Sequence, residues 1–439
     1  MAGGTWDTQN KKYPGVYIRF RSTGGLSLNV GDRGTVAICE PLSWGPVAQV
    51  MEIAAGADMT PYTGYDITNT KNRFLNEMFK GTNRTPAPNK VLLYRPTASS
   101  SAEASAKIAP LTATAKYPGA RGNDITVIVT ALATPADTFL VSTVVDGMVV
   151  DEQQAETVED LVANDWVTFS GTGALAANAG TPLTGGADGT VQAAAYSTFL
   201  TAIGGMKFDV LVYDGEESTV LDAYQAFVKR MVNDYGKYAQ LVAAGMTNPN
   251  SQFVINVGSG VTLSDGAVLT PQQVTWWAGG ATAGAKYNQD LTYAQYPGAV
   301  TASTEEGDSA TGNFVLFAED GVVKVEYDVD SLVSFTPDVG EFFRYNRVMR
   351  LCNTIANDIY KQFSDNYIGV VDNNEAGRML FRGAIVGYLS TIQANSGIQN
   401  FEADDVEVLP GEAIDAIVVK LAIQPVMATT KIYMTIELN

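Results

Sequence analysis

The stretch Asp372-Asn373-Asn374-Glu375-Ala376-Gly377 resembles the start of an EF-hand loop, whose oxygen ligands would hold a calcium ion. Gly383 then stands where the bidentate Glu is required, so a capping box from Asp372 to Glu375 at a helix start accounts for the pattern instead. Gly258-Ser259-Gly260 opens a dinucleotide fingerprint, but Leu263 replaces its third glycine. Gly279 and Gly284 have the spacing of a phosphate-binding loop, yet Ala285 precedes Lys286 and Tyr287 stands where Ser or Thr should be. Glu305, Glu306 and Asp308 form an acidic cluster that could hold a cation weakly, although a solvated loop is the simpler account.

Histidine is absent, which removes Ser-His-Asp and Cys-His nucleophilic sets, imidazole metal sites and the commonest neutral-pH base. Carboxylate, lysine or backbone chemistry stays open. Cys39 and Cys352 are too few for a disulfide framework or a cysteine-rich metal site, and read as buried, reduced thiols. No cofactor or metal is called for, and the expectation is a non-enzyme. Lys and Arg number 28 against 47 Asp and Glu, giving a net charge of −19. Such a chain repels nucleic acid phosphates and anionic membranes. No signal peptide and no continuous apolar run of about 18 residues is read, so the expectation is a protein made and folded in a cytoplasm, without membrane insertion.

The elements that would carry any site form an α/β, multidomain pattern. Val16, Ile18 and Phe20 alternate with Tyr17, Arg19 and Arg21 in a short N-terminal strand. Lys90–Arg95 is a further strand, and Ser99–Ala106 could be a linker. Residues 110–188 are rich in Thr, Val, Ala and Gly, with Asp146-Gly147 signalling a tight hairpin. Phe208–Tyr213, a helix over Val220–Tyr235 and Ala239–Ala243 suggest a βαβ unit, and Phe253–Val257 adds a strand. Thr270-Pro271 starts a helix whose small residues, from Ala278 to Ala285, suit close packing. Asp338 and Glu341 can cap a helix with Tyr345, Val348, Cys352, Ile355, Ile359 and Phe363 on one face, and a second helix runs through Leu380, Leu389 and Ile392. Two strands follow, within Phe401–Leu409 and Ile414–Gln424. At the end, Ile432, Met434, Ile436 and Leu438 alternate with Lys431, Tyr433, Thr435 and Glu437. This is a strand with one face to bury, either in a sheet of its own domain or in a neighbouring subunit.

Arg344, Arg347, Arg350, Lys361, Arg378 and Arg382 concentrate on the two C-terminal helices. They could form internal salt bridges, with Asp358 or Glu375, or a basic face that meets an acidic neighbour.

Several stretches taken in order carry a family resemblance. They are Tyr13-Pro14-Gly15-Val16-Tyr17, Tyr117-Pro118-Gly119-Ala120-Arg121-Gly122-Asn123-Asp124-Ile125, Leu183-Thr184-Gly185-Gly186, Phe208–Tyr213, Trp277-Ala278-Gly279 with Ala283-Gly284, and Phe381-Arg382-Gly383 through the end. Together they resemble the sheath proteins of contractile phage tails, including those of phage-derived bacteriocin particles. The resemblance implies a structural subunit, stacked as hexameric rings around a tail tube and contracting to drive the tube through a cell envelope. Its implied partners are copies of itself, the tail tube protein, and the baseplate and tail terminator proteins. Its implied place is a virion tail or bacteriocin particle assembled in a bacterial host. It implies an N-terminal arm (1–21), a central α/β domain (22–96 and 190–330), an inserted small β-rich domain (97–189), a C-terminal α/β domain (331–428) and a C-terminal strand arm (429–439). The arms donated to neighbouring subunits would carry Val16, Tyr17, Ile18, Arg19 and Phe20 at one end. At the other they would carry Ile432, Tyr433, Met434, Thr435, Ile436 and Leu438. Arg344, Arg347, Arg350, Arg378 and Arg382 are the expected contacts to the tube or a neighbour, on the ground of their charge contrast.

Overall fold

The computed structural model describes residues 30–135, 137–303 and 308–438, with the backbone of 3–4 and 16–17. Ile18, Arg19, Phe20, Glu305 and Glu306 lie outside the described residues, and of Val16 and Tyr17 the backbone alone is described, paired in parallel with Gly3 and Gly4.

Seven runs of β-branched and aliphatic residues build the central sheet. They are β1 (Thr35–Cys39), β2 (Val50–Ala54), β3 (Lys90–Tyr94), β4 (Val210–Val212), β5 (Gln240–Ala244), β6 (Val254–Val257) and β7 (Asn313–Phe314). Their order is β7-β6-β5-β4-β1-β3-β2, parallel throughout except for β2 against β3. The expected βαβ unit is there, and the order reverses between β1 and β4. Parallel sheets need cover on both faces, which is why these strands are continuously apolar. Helices α1 (Arg73–Met78), α2 (Ala193–Ile203), α3 (Ser218–Tyr235) and α4 (Pro271–Gly284) provide it. Ile38, Val212, Val242 and Val257 pack with Leu75, Met78, Trp277 and Ala281 on one face. Ala37, Leu92, Leu211 and Leu241 pack with Phe199, Tyr224, Phe227 and Met231 on the other.

Helix α4 is the most tightly enclosed element. Thr270 and Gln273 form its capping box, and every residue from Val274 to Gly284 is buried. Its glycines let backbones meet. A Cβ on Gly279 would lie 2.4 Å from Val212 Cγ2, and one on Gly280 would lie 2.0 Å from the Met78 carbonyl oxygen. Trp277 stacks on Tyr296 with ring centroids 4.1 Å apart, and its indole N–H donates to Gly81 O.

Between β3 and α2 the chain leaves the sheet to form a β-sandwich. One layer has four strands, in the order Met148–Ala155, Phe139–Val145, Ile125–Ala131, Asn178–Pro182. The other has three, in the order Val167–Ser170, Leu111–Ala115, Ser105–Ile108. Asp146 and Gly147 both have positive φ, as the tight hairpin turn demands. Ser99–Ala106 is no linker. Ala98–Ser99 pairs with Thr190–Val191, closing the insertion at its base, and Ser105 already begins a strand. At the joint to the α/β core, Trp44 is buried against Trp166 and Tyr117. Arg121 donates to Gly64 O, Asp124 and Asp146, with its guanidinium 4.2 Å from the Tyr65 ring centroid.

The chain forms two compact units: residues 31–357 with 425–439, and residues 1–30 with 358–424. The division falls within helix α5 (Asn346–Asn366). In the second unit, α6 (Glu375–Ala394) packs on the end of α5 through Phe363 and Phe381, ring centroids 3.9 Å apart, and through Tyr388 Oη donating to Asp358. A hairpin of β8 (Val406–Pro410) and β9 (Ile417–Leu421) completes it. Both expected capping boxes move. Asp338 and Glu341 are exposed ahead of α5, which begins where the Asn346 N–H finds Asp328 O. Asn374 caps α6, its Oδ1 accepting from the Gly377 N–H.

The packing of α4 makes a direct prediction. Gly280→Ala gains about 1 kcal/mol of helix propensity, yet it drives a methyl into the Met78 carbonyl. Thermal denaturation should show a lower midpoint than wild type; an equal or higher one would overturn the account of close packing.

Candidate assembly surfaces

The C-terminal segment is the most exposed apolar stretch among the described residues. Ile432, Met434, Ile436 and Leu438 are 78, 75, 75 and 94 % exposed, and Tyr433 is 92 % exposed. Residues 426–438 join no strand ladder. Thr430 Oγ1 lies 3.4 Å from Tyr327 Oη, short of the alternating run itself. Alternation predicted a strand here; among the described residues it joins no ladder.

A second surface is open backbone. The β8–β9 pair forms a two-stranded sheet of its own, leaving the outer edge of β9 without a neighbour among the described strands. Arg382 fixes the hairpin to α6 by donating from Nε to Val406 O at 2.7 Å, and Asn373 Nδ2 holds the turn through Ile414 O and Ala416 O.

The third surface is a face of α6. Its exposed positions beyond Glu375 are Ala376, Met379, Leu380, Gly383, Gly387, Ser390, Thr391 and Ala394, none of them charged. Ser390 and Thr391 turn their hydroxyls back onto Val386 O and Gly387 O. A Cβ on Gly383 or Gly387 would meet nothing within 4 Å. Glycine inside a helix costs about 1 kcal/mol relative to alanine, and here no contact of the chain itself requires it.

The arginines do not form one basic face. Arg350 is fully buried, ion-paired with the equally buried Asp328 and donating to Gln289 O at 2.8 Å. It therefore leaves the set of surface contacts. Asp328 is the hub of a polar cluster, accepting also from the Leu291 N–H and from Asn346 Nδ2, while Asn346 Oδ1 accepts from Gln240 on β5. Burial, then the Asp328 charge, raises the Asp290 carboxyl above its ordinary range, and burial raises Asp330 well above it. Burial lowers the Arg347 guanidinium, with Asp290 and Asp328 opposing that shift. Arg344 donates to Ser309 O and Ala310 O. Arg378 donates to Asn373, and Arg382 pairs with Asp404 as well as Val406 O. Asp358 accepts from Tyr388, and the ion pairs of Arg350 and Arg382 run to Asp328 and Asp404. The Asp328 hub was invisible in the sequence, since its members come from segments 18 to 106 residues apart.

No group of three or more His, Cys, Asp or Glu side chains among the described residues is placed to hold a metal ion. No helix of the described residues is long and apolar enough to cross a membrane. Cys39 and Cys352 are free thiols, and burial pushes Cys352 up to about 11.

An open sheet edge, an exposed alternating segment and an uncharged helix face are features of a structural subunit that meets other chains. Comparison with known proteins identifies which kind. Models of the phage tail sheath match in four blocks: a domain III N-terminal region at residues 33–95, the β-sandwich domain at 99–188, the central domain at 189–329 and the C-terminal domain at 338–439. The phage-like element PBSX protein XkdK of Bacillus subtilis is 33 % identical over 475 residues, covering 100 % of both chains. A sheath tail protein of Desulfitobacterium hafniense superposes with a TM-score of 0.85 at 37 % identity, over 96 % of this chain and 99 % of that one. A second, from Listeria innocua, gives 0.78 at 29 % identity, over 92 % and 94 %. The chain belongs to the phage tail sheath protein family, and is a virion structural protein.

The Asp328 hub can be tested by itself. Removing one partner of a buried ion pair costs about 3–5 kcal/mol, so Asp328→Ala should lower the urea unfolding free energy by that order. A loss below about 1 kcal/mol would show that the pair behaves as a solvated one.

Proposed function

We propose that this chain is the subunit of a contractile tail sheath. It polymerises as stacked hexameric rings around a tail tube and contracts to drive the tube through a cell envelope. The observation that carries the assembly is the exposed alternating run Lys431–Leu438, which joins no ladder among the described residues. It is donated by β-augmentation to the sheet of a neighbouring copy. The open edge of β9 offers backbone groups of the kind such an arm needs. The N-terminal arm, Val16 to Phe20, is donated in the same way.

The magnitudes suit reversible assembly. Burying Ile432, Met434, Ile436 and Leu438 contributes roughly 1.5–3 kcal/mol each. Four backbone hydrogen bonds add about 0.5–1.5 kcal/mol apiece. Ordering eight residues costs about 8–16 kcal/mol. One arm is near balance; many arms on a ring seated on a template are favourable, because each later contact becomes intramolecular.

The same reading takes residues 1–21 and 429–439 as arms, 22–96 with 190–330 as the central domain, 97–189 as the insertion and 331–428 as the C-terminal domain. It takes the protein as a non-enzyme whose partners are itself, the tail tube, the baseplate and the tail terminator. Arg344, Arg347, Arg378 and Arg382 remain its candidates for contact with the tube or a neighbour, joined by the uncharged face of α6.

Deleting residues 429–439 separates donation from internal folding. Circular dichroism should show a folded, soluble chain, while negative-stain microscopy shows loss of the striated polymers formed by the full chain. An unfolded product, or polymers of normal appearance, would overturn the donated-arm reading.

A further inference from the structure

The central sheet reverses its strand order between β1 and β4, the position at which open α/β sheets leave a crevice beyond their carboxyl ends. Val212 pairs with Ile38, so continuing the register by two residues sets Asp214 beside Glu40. Neighbouring strands lie about 4.8 Å apart, close enough for two carboxyls to meet. Glu40 is 8 % exposed; its N–H donates to Tyr94 O, and its Oε1 finds no donor. Asp214 Oδ2 accepts from the indole N–H of Trp276, on α4, at 2.8 Å. The Asp214 charge acts on the Glu40 carboxyl, and the same indole lies close to it.

Among the described residues, no cation acts measurably on the Glu40 carboxyl. Cys39 ends β1 just before Glu40, Tyr94 ends β3 with Arg95 following it, and Tyr213 follows β4. Tyr196 of α2 and Tyr224 of α3 pack on Tyr213, with ring centroids 5.6 and 4.9 Å away. Arg95 is the cation of this group, and its guanidinium is committed to Gly45 O at 2.7 Å and Pro118 O at 2.6 Å. Two adjoining carboxylates without a cation repel, whereas one shared proton converts the repulsion into a hydrogen bond. Burial, then the Asp214 charge, accordingly holds the Glu40 carboxyl well above the ordinary carboxylate range.

We propose that Glu40 and Asp214 share one proton and form a clasp across the switch point, which holds Trp276 and the first half of α4 against the ends of β1 and β4. The clasp is closed while the pair keeps its proton and weakens when that proton passes to solvent. In the unfolded chain a glutamate ionises near about pH 4.3, while the buried one keeps its proton to higher pH. Between those two values the folded chain binds the extra proton, so stability falls as pH rises and levels off above the folded value.

Urea unfolding of the full chain at steps between about pH 5 and pH 9 reads this directly. Glu40→Gln keeps the size and an N–H donor but cannot titrate. Relative to it, wild type should lose up to about tenfold in its folded-to-unfolded ratio per pH unit inside the window. Identical pH profiles for the two would overturn the proposal. Asp214→Asn reads the same proton from the other side, and decides alone if Glu40→Gln does not fold. Removing the neighbouring charge should move the window to lower pH, and an unmoved window would overturn the clasp.

Discussion

Extended backbone needs a hydrogen-bonding partner along its length, and this chain meets that demand in two ways. In the central sheet every strand finds its partner inside the chain, often over long separations: Leu211 of β4 pairs with Ala37 of β1 across the whole inserted sandwich. At the C-terminus the demand is left open, with Lys431–Leu438 alternating as a strand does and lying beside no ladder. The first arrangement makes a stable body. In the proposed assembly the second is completed by a neighbouring copy, and the contrast underlies that proposal.

Charge acts in the opposite direction. A net charge of −19 disfavours the approach of identical subunits. The arginines that could have offset this at the surface are partly withdrawn into the fold, Arg350 completely and Arg382 onto the carbonyl of Val406. Attraction between copies then falls to backbone edges and uncharged faces. The α6 face, with its inward-turned hydroxyls and two glycines, suits a close neighbour better than a charged one. In the proposed assembly, subunits of this kind come together where a template aligns many contacts at once, as a ring around a tube does.

Much of the fold was legible in the sequence because its signals are local. The helix start at Thr270-Pro271, the Asp146-Gly147 turn, the βαβ alternation and the apolar face of α5 each lie within about one element, where periodicity and capping rules operate. The misreadings share a cause in tertiary contacts. The box expected at Asp338 and Glu341 gives way because Asp328 engages Asn346 and sets the start of α5. Ser99–Ala106 looks like a linker by composition, but its small residues are the edges where two layers of the sandwich close. The basic face dissolves because helical spacing reveals which residues share a helix, not which of them a distant aspartate will capture. At the candidate site, alternation showed that the terminal segment requires a sheet, while its exposure and its absence from every ladder among the described residues became visible in the structure alone.

The joint between sandwich and α/β core bears on how such a subunit could move. The insertion leaves and re-enters through two strands paired with each other, so its base is as narrow as a hairpin. Narrow bases usually swing. This one is pinned beside its hinge by Trp44 between Trp166 and Tyr117, and by Arg121 bridging to Gly64 O while holding Asp124 and Asp146. Buried aromatic packing and a buried guanidinium resist small displacements, because a partial slip leaves donors unsatisfied without exchanging them for new partners. Residues 31–357 are therefore suited to travel as one piece. In the proposed sheath, a change between extended and contracted lattices is absorbed by the arms and by the segments outside that piece.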